Sequence, residues 1–248
     1  MVIMIHERFI PLVGASNFRD LGGYQNLDGR ETRWRRLFRS DALYALTAAD
    51  LTTLHSLEVA TVIDLRSSHE IAYTGHGLLG QSPIHVVETN ATPTLDVSMI
   101  PPADDSAGLN EIYWRYLTGG AVNFVDALRV LSQVESYPAV MSCFFGKDRT
   151  GVLTALVLAC LDMDPELIIE DYAQSARSMV NLCERLRTDP IYDETLDQTP
   201  SWRLAATPDT MVAFLERLTS EFGGAQSWAL QAGVTATQLD SLRSIMLV

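Results

Sequence analysis

The 248-residue chain is short of positive charge, of cysteine and of long apolar runs, and each shortage removes a class of function. Lysine and arginine together number 18 against 31 aspartates and glutamates, a formal net charge of −13. Neither a nucleic-acid backbone nor an anionic lipid surface attracts such a chain, so nucleic-acid binding and polybasic membrane binding are not expected. The three cysteines, at 143, 160 and 183, form no even disulfide set and show no metal spacing. The five histidines, at 6, 55, 69, 76 and 85, show no ligand spacing and read as surface or core residues, so no metal is expected. The longest apolar run lies inside 151–161 and falls well short of a bilayer span, so no stable membrane insertion is expected. Met1 to Ile5 is too short for the apolar part of a signal peptide and His6-Glu7-Arg8 interrupts it, which makes the reducing cytoplasm the expected location. No internal repeat or low-complexity tract is present. What is there is an ordinary globular composition, 47% hydrophobic and 20% charged, long enough for one domain, or one domain with an insertion, around a substantial core.

The most informative stretch is Met141-Ser142-Cys143-Phe144-Phe145-Gly146-Lys147-Asp148-Arg149-Thr150-Gly151. It lies between a β-branched, apolar run ending Pro138-Ala139-Val140 and a helix-compatible run from Val152 to Leu161, so it reads as strand, tight loop, helix. Such a loop aims backbone N–H groups and the positive end of a helix dipole at one point, which suits a phosphate dianion. Cys143 sits at that point, and the field that binds a dianion also stabilises a thiolate nucleophile. Arg149 has the planar fork to hold two phosphoryl oxygens. Gly146 and Gly151 let backbone approach ligand and sheet, Thr150 supplies a hydroxyl near the sulfur, and Lys147 adds a second positive charge. Asp148 is the preferred general acid, the alternative being a carboxylate that fixes Arg149 or the loop backbone. Phe144 and Phe145 either pack beneath the loop or line the pocket wall.

This loop resembles that of the cysteine-dependent protein tyrosine and dual-specificity phosphatases, in particular the bacterial and fungal tyrosine-phosphatase branch whose loop reads H-C-x-x-G-K-D-R-T-G. Asn17-Phe18-Arg19-Asp20-Leu21-Gly22-Gly23-Tyr24 matches the N-F-R-D-L-G-G-Y of that branch. Weaker matches follow at Phe38-Arg39-Ser40, Val62-Ile63-Asp64-Leu65-Arg66, Asp171-Tyr172 with Ser175, and Gly233-Val234-Thr235. One departure is Ser142, where the family has a histidine that orients the loop. The resemblance implies phosphomonoester hydrolysis through a cysteinyl-phosphate intermediate, without metal or cofactor. It also implies a phosphorylated substrate, either a phosphoprotein or a small phosphate ester, and a variable helical lid over the active site, expected in 163–207.

Along the rest of the chain, Asn17, Arg19 and Asp20 read as a buried hydrogen-bonded corner or as ligand contacts. Arg30, Arg33, Arg35, Arg36 and Arg39 read as a solvated face or an anion-binding run. Thr47-Ala48-Ala49-Asp50 is a capping box that opens a helix through Leu57. Val59 to Leu65 and Ile84 to Glu88 read as strands, the first apolar enough to be central; Asp64 and Arg66 at its end are active-site neighbours or a structural ion pair. Residues 89–108 read as a long polar loop in which Asp104 or Asp105 is a rival general acid. Helices are expected over Asn110 to Leu117, Ala121 to Val134, Asp164 to Arg177, Asp209 to Phe222 and Thr235 to Met246, and Met179 and Trp202 read as core or as facing substrate. The expected architecture is a single α/β domain with a mostly parallel sheet of four or five strands flanked by helices. The rival functions are a phosphatase of small metabolites or phosphoinositides, for which Lys147 speaks, and a non-catalytic phosphate-binding module. Oligomeric state is not legible in the sequence.

Overall fold

The computed structural model describes residues 7–91, 106–188, 193 and 196–248. Five strands, β1 (Arg19–Asp20), β2 (Leu37–Ser40), β3 (Thr61–Asp64), β4 (His85–Glu88) and β5 (Ala139–Ser142), form one sheet in the order β1-β2-β5-β3-β4. All neighbours are parallel except β1, which is antiparallel to β2 at the edge. The central strand is therefore β5, whose Val140 faces Phe38 on one side and Val62 on the other. Alternate residues feed two different cores: Leu37, Ile63, Ala139 and Met141 enter the larger one, and Phe38, Val62 and Val140 the smaller. That period of two, apolar on both faces, is what a parallel strand covered by helices requires.

The helices are α1 (Ala48–Ser56), α2 (Ser68–Thr74), α3 (Ser106–Gly119), α4 (Ala121–Leu131), α5 (Arg149–Cys160), α6 (Pro165–Ala173), α7 (Ala176–Leu186), α8 (Ser201–Leu204), α9 (Pro208–Phe222), α10 (Ala225–Gln231) and α11 (Ala236–Met246). The larger core is built by α3, α4, α5, α9 and α10 on one face of the sheet, while α1 and the stacked rings of Phe18 and Phe38 close the other. The expected capping box of α1 is present: Asp50 N donates to Thr47 Oγ1 at 3.2 Å and Thr47 N to Asp50 Oδ2 at 2.8 Å. The same reciprocal pair opens α11 through Thr235 and Gln238.

The sheet has the upper of the expected strand numbers and is mostly parallel, as read from the sequence. Several boundaries differ, among them the start of α3 at Ser106 rather than Asn110. Helix α5 begins at Arg149, three residues ahead of the expected Val152, so the phosphate-loop signature runs into the first helical turn. The helix expected from Asp164 to Arg177 breaks at Gln174 and Ser175, because the Ser175 hydroxyl is buried and accepts from Arg19 Nη2 at 3.2 Å; tertiary bonding outweighs local propensity. Helix α4 stops at Leu131, short of Val134, and α10 was not expected at all. Asp104, Asp105 and most of the loop at 89–108 lie outside the described residues.

Candidate active site

The chain between the end of β5 and the start of α5 makes a tight loop whose shape is forced at Gly146. That residue has φ 65°, and a Cβ there would lie 2.4 Å from Asp41 N and 2.5 Å from the Ser40 carbonyl carbon. Only glycine can pass that close to β2 in that conformation. From below, Arg39 Nη2 and Asn17 Nδ2 donate to the Gly146 carbonyl at 2.8 and 3.1 Å. Asn17 Oδ1 in turn accepts from Arg19 Nη1. Both arginines converge on Asp171, with Arg19 Nε at 3.1 Å and Arg39 Nη1 at 2.5 Å, and Tyr24 OH adds a bond at 3.0 Å. Burial alone would push the Asp171 carboxyl up; the two guanidinium charges outweigh it and hold the group below the usual carboxylate range. Burial and the like charge of Arg39 lower Arg19 to about 10. A buried polar frame thus fixes the loop's underside.

Arg149 projects from the first turn of α5. Its fork is bidentate on Glu70, Nη1 to Oε2 at 2.6 Å and Nη2 to Oε1 at 2.7 Å, and Nη1 also reaches the Leu65 carbonyl at 3.2 Å. Desolvation raises the Glu70 carboxyl, but the bonds and charge of Arg149, with those of Ser67, overcome it and leave the group at about 2. The Arg149 guanidinium is correspondingly held above its usual range despite burial. Asp148 Oδ1 accepts twice, from Tyr113 OH at 2.7 Å and from Lys147 Nζ at 2.6 Å. Tyr113 OH and Tyr172 OH lie 2.7 Å apart, and burial, then the Asp148 charge, raises the Tyr113 phenol well above its usual range. Lys147, the chain's single lysine, is fully buried, and its ammonium also donates to the Arg203 carbonyl at 3.1 Å.

Above the loop is a cavity of about 270 Å³. Its walls are apolar, with Leu109, Ile112, Phe144, Phe145, Leu186 and Leu204, and Glu70, Asp148 and Arg203 supply its charged groups. Phe144 and Phe145 meet edge to face, centroids 5.2 Å apart, and both line the wall; Phe144 also packs against Met179, Leu182 and Leu186 of α7. Tyr116 joins the pieces: burial raises its phenol, and the charges of Arg149, Asp148, Cys143 and Arg203 all act on it. Cys143 itself is 1% exposed, between the last residue of β5 and Phe144. Thr150 is buried and its hydroxyl has no hydrogen-bond partner among the described residues. A buried sulfur just after the central strand, next in sequence to the cavity-lining Phe144 and within electrostatic reach of the fixed Arg149 guanidinium, has the chemistry to attack a phosphoryl group.

A model of the tyrosine phosphatase family matches residues 10–248. This chain belongs to the tyrosine phosphatase family. Among curated relatives, the triple specificity protein phosphatase PtpB of Mycobacterium tuberculosis is 27% identical over 276 residues, covering 95% of this chain and 98% of that one. A putative tyrosine-protein phosphatase of Cupriavidus necator is 32% identical over 171 residues, covering 64% of this chain and 60% of its own length. A crystal structure of P. aeruginosa TpbA with pTyr overlaps 87% of this chain and 88% of that one, at 17% identity and a TM-score of 0.33, too loosely to decide anything about the site. The chain is a cysteine-dependent phosphatase.

For a tyrosine phosphatase, the placement of the remaining sequence candidates is instructive. Asp20 orders the turn after β1, accepting from Gly22 N at 2.8 Å and Arg35 N at 2.9 Å, away from the cavity. Asp64 and Arg66 pair at 2.6 Å at the end of β3, and Arg66 spreads further bonds to Thr74 and the Gly75 carbonyl. Ser142 is buried in β5 with Ser40 and Asp64 as its sheet partners. Gly151 faces the Tyr172 ring, where a Cβ would come within 3.1 Å. Of the arginine run, only Arg39 is buried; Arg30 and Arg33 are exposed. Met179 packs in the α7 cluster and Trp202 against the larger core. Among the described residues, no group of three or more metal-ligating side chains is gathered, and no helix is long and apolar enough to cross a membrane.

Sequence reasoning missed Glu70, Tyr113 and Arg203. Glu70 had a readable signal: Ser67-Ser68-His69-Glu70 is a capping box just after the strand that ends in Asp64, and both of its bonds form, Ser67 N to Glu70 Oε2 at 2.6 Å and Glu70 N to Ser67 Oγ at 3.1 Å. Tyr113 and Arg203 had none, because their partners are 35 and 56 residues away.

Proposed function

We propose that this phosphatase hydrolyses phosphorylated protein side chains, phosphotyrosine foremost, through a phosphocysteine intermediate. The carrying observation is the pairing of Arg149 with Glu70, a residue of the cavity that Phe144, Phe145 and Asp148 of the Cys143 loop also line, and whose largely apolar walls suit an aromatic ring. In the first step the Cys143 thiolate attacks phosphorus while Arg149 and loop amides hold the non-bridging oxygens. The P–O bond breaks and Asp148 gives its proton to the leaving oxygen. In the second, water attacks the phosphocysteine, its proton goes to the Asp148 carboxylate, and the P–S bond breaks to restore the thiolate. Thr150, whose buried hydroxyl has no partner among the described residues, supports the departing sulfur. Asp148 is fixed in the loop by two donors to Oδ1, Tyr113 OH and Lys147 Nζ.

We read 1–248 as one phosphatase domain with its lid inside 163–207. Since α6 packs on α5 and α9, the part that opens is α7 and α8, which bring Leu186, Arg203 and Leu204 to the cavity. The cytoplasm suits a thiolate enzyme whose three cysteines are free. Hydrolysis of p-nitrophenyl phosphate by parent and Cys143→Ser protein, under reducing conditions and with EDTA, tests the mechanism. Activity should survive EDTA and fall roughly a thousandfold or more in the variant; a variant as fast as the parent contradicts it. A panel then tests the substrate. It sets phosphotyrosine peptide against phosphoserine peptide and against sugar, nucleotide and inositol phosphates, with phosphotyrosine peptide expected to be the best.

A further inference from the structure

Among the described residues, charge in the cavity is internally balanced except at one residue. Glu70 is neutralised by Arg149 and Asp148 by Lys147, both through short bonds. Arg203 lines the same cavity on α8, and its guanidinium has no ion pair and no hydrogen bond among the described residues. It is held in place from behind, because its carbonyl takes the Lys147 ammonium at 3.1 Å and so ties α8 to the phosphate loop. It lines the cavity together with Tyr116 and with Phe144 and Asp148 of the phosphate loop. Lys147, the sequence candidate for a second anion, is fully buried and engaged by Asp148.

We infer that Arg203 is an anion subsite beside the phosphoryl site and reads an acidic side chain flanking the phosphotyrosine of a peptide substrate. Arg203 is a partly buried residue of that cavity, and a guanidinium without a partner among the described residues can take a carboxylate from the substrate by a charge-assisted and bidentate bond. The apolar walls favour an aromatic ring plus a peptide carboxylate over a polyphosphorylated sugar ring, whose hydroxyls would find few partners on leucine, isoleucine and phenylalanine. This inference rests on the phosphatase reading but is tested apart from it.

The test is binding of two matched phosphotyrosine peptides, one with glutamates beside the phosphotyrosine and one with glutamines, to Cys143→Ser protein, which cannot complete turnover. The glutamate peptide should bind roughly tenfold more tightly at low salt, and the advantage should shrink as salt is raised. Adding Arg203→Gln should bring the ratio to about one, while Arg203→Lys should restore part of it and so show that folding is not the cause. Equal binding of the two peptides, or a preference that survives Arg203→Gln, overturns the subsite. So does an inositol bisphosphate that binds more tightly than the glutamate peptide and loses that advantage with Arg203→Gln, since the subsite would then belong to a second phosphate. Parent protein that binds these peptides yet hydrolyses neither would count against the phosphatase reading instead.

Discussion

Tyr113 is a buried phenol that bonds the Asp148 carboxylate at 2.7 Å. It donates to the same carboxylate oxygen as Lys147, so in the proposed mechanism the charge left when Asp148 gives up its proton is met by two donors already in place. That matters most when the leaving oxygen is basic. Tyr113→Phe should therefore slow hydrolysis of a phosphoserine peptide more than that of p-nitrophenyl phosphate, changing the ratio of the two kcat values by roughly tenfold. A uniform loss on both substrates would make Tyr113 a packing residue only. Glu70 has the complementary part at Arg149. Glu70→Gln leaves one bond of the fork and removes the charge, and should raise the Ki for inorganic phosphate or vanadate several-fold, read by competition against p-nitrophenyl phosphate.

Two elements meet at the loop from opposite sides. Below it, β2 passes so close that Gly146 cannot carry a side chain, and Gly146→Ala should abolish vanadate binding and lower Tm, whatever its effect elsewhere. Above it, α7 is held by Met179, Leu182 and Leu186 against Phe144 and by the Arg185–Asp41 ion pair at 2.6 Å. If α7 is the part that opens, that pair is its latch. Arg185→Ala should raise hydrogen exchange of α7 amides about fivefold or more and leave β5 untouched; unchanged α7 exchange would contradict the latch. Elements of this kind were legible where local chemistry sets them. The capping box at Thr47, the apolar run of β3 and the Cys143 to Gly151 loop follow from neighbours in sequence. The break at Ser175 depends on Arg19, 156 residues away along the chain, and periodicity does not contain it.

At the scale of the whole molecule, stability leans on buried carboxylates that must stay charged. Glu70 is held at about 2 against an ordinary 4.5, and Asp171 also lies below its usual range. A depressed carboxyl contributes stability in full above its unfolded pKa and loses it as pH falls through the folded one. Stability should thus decline as pH drops from about 4.5 toward 2, and Glu70→Gln should make that slope shallower, its share being roughly 3 kcal/mol at most. Urea unfolding at stepped pH checks this; an equal slope in both proteins would sink it. The same carboxylates show what the sequence conceals. Asn17, Arg19 and Arg39 were visible as polar residues of matched motifs, but only the fold shows that Asp171, 152 residues beyond Arg19, holds them under the loop. The catalytic loop could be read from eleven consecutive residues, whereas the groups that tune it, Glu70, Tyr113 and Arg203, arrive from three separate helices. The central claim is that phosphorus passes through sulfur. Acid quenching during turnover of p-nitrophenyl phosphate, followed by mass spectrometry of the peptide bearing Cys143, should find the mass of one added phosphoryl group there and on neither Cys160 nor Cys183. A burst of product with that peptide unmodified would mean that the phosphoryl group goes straight to water or to another residue.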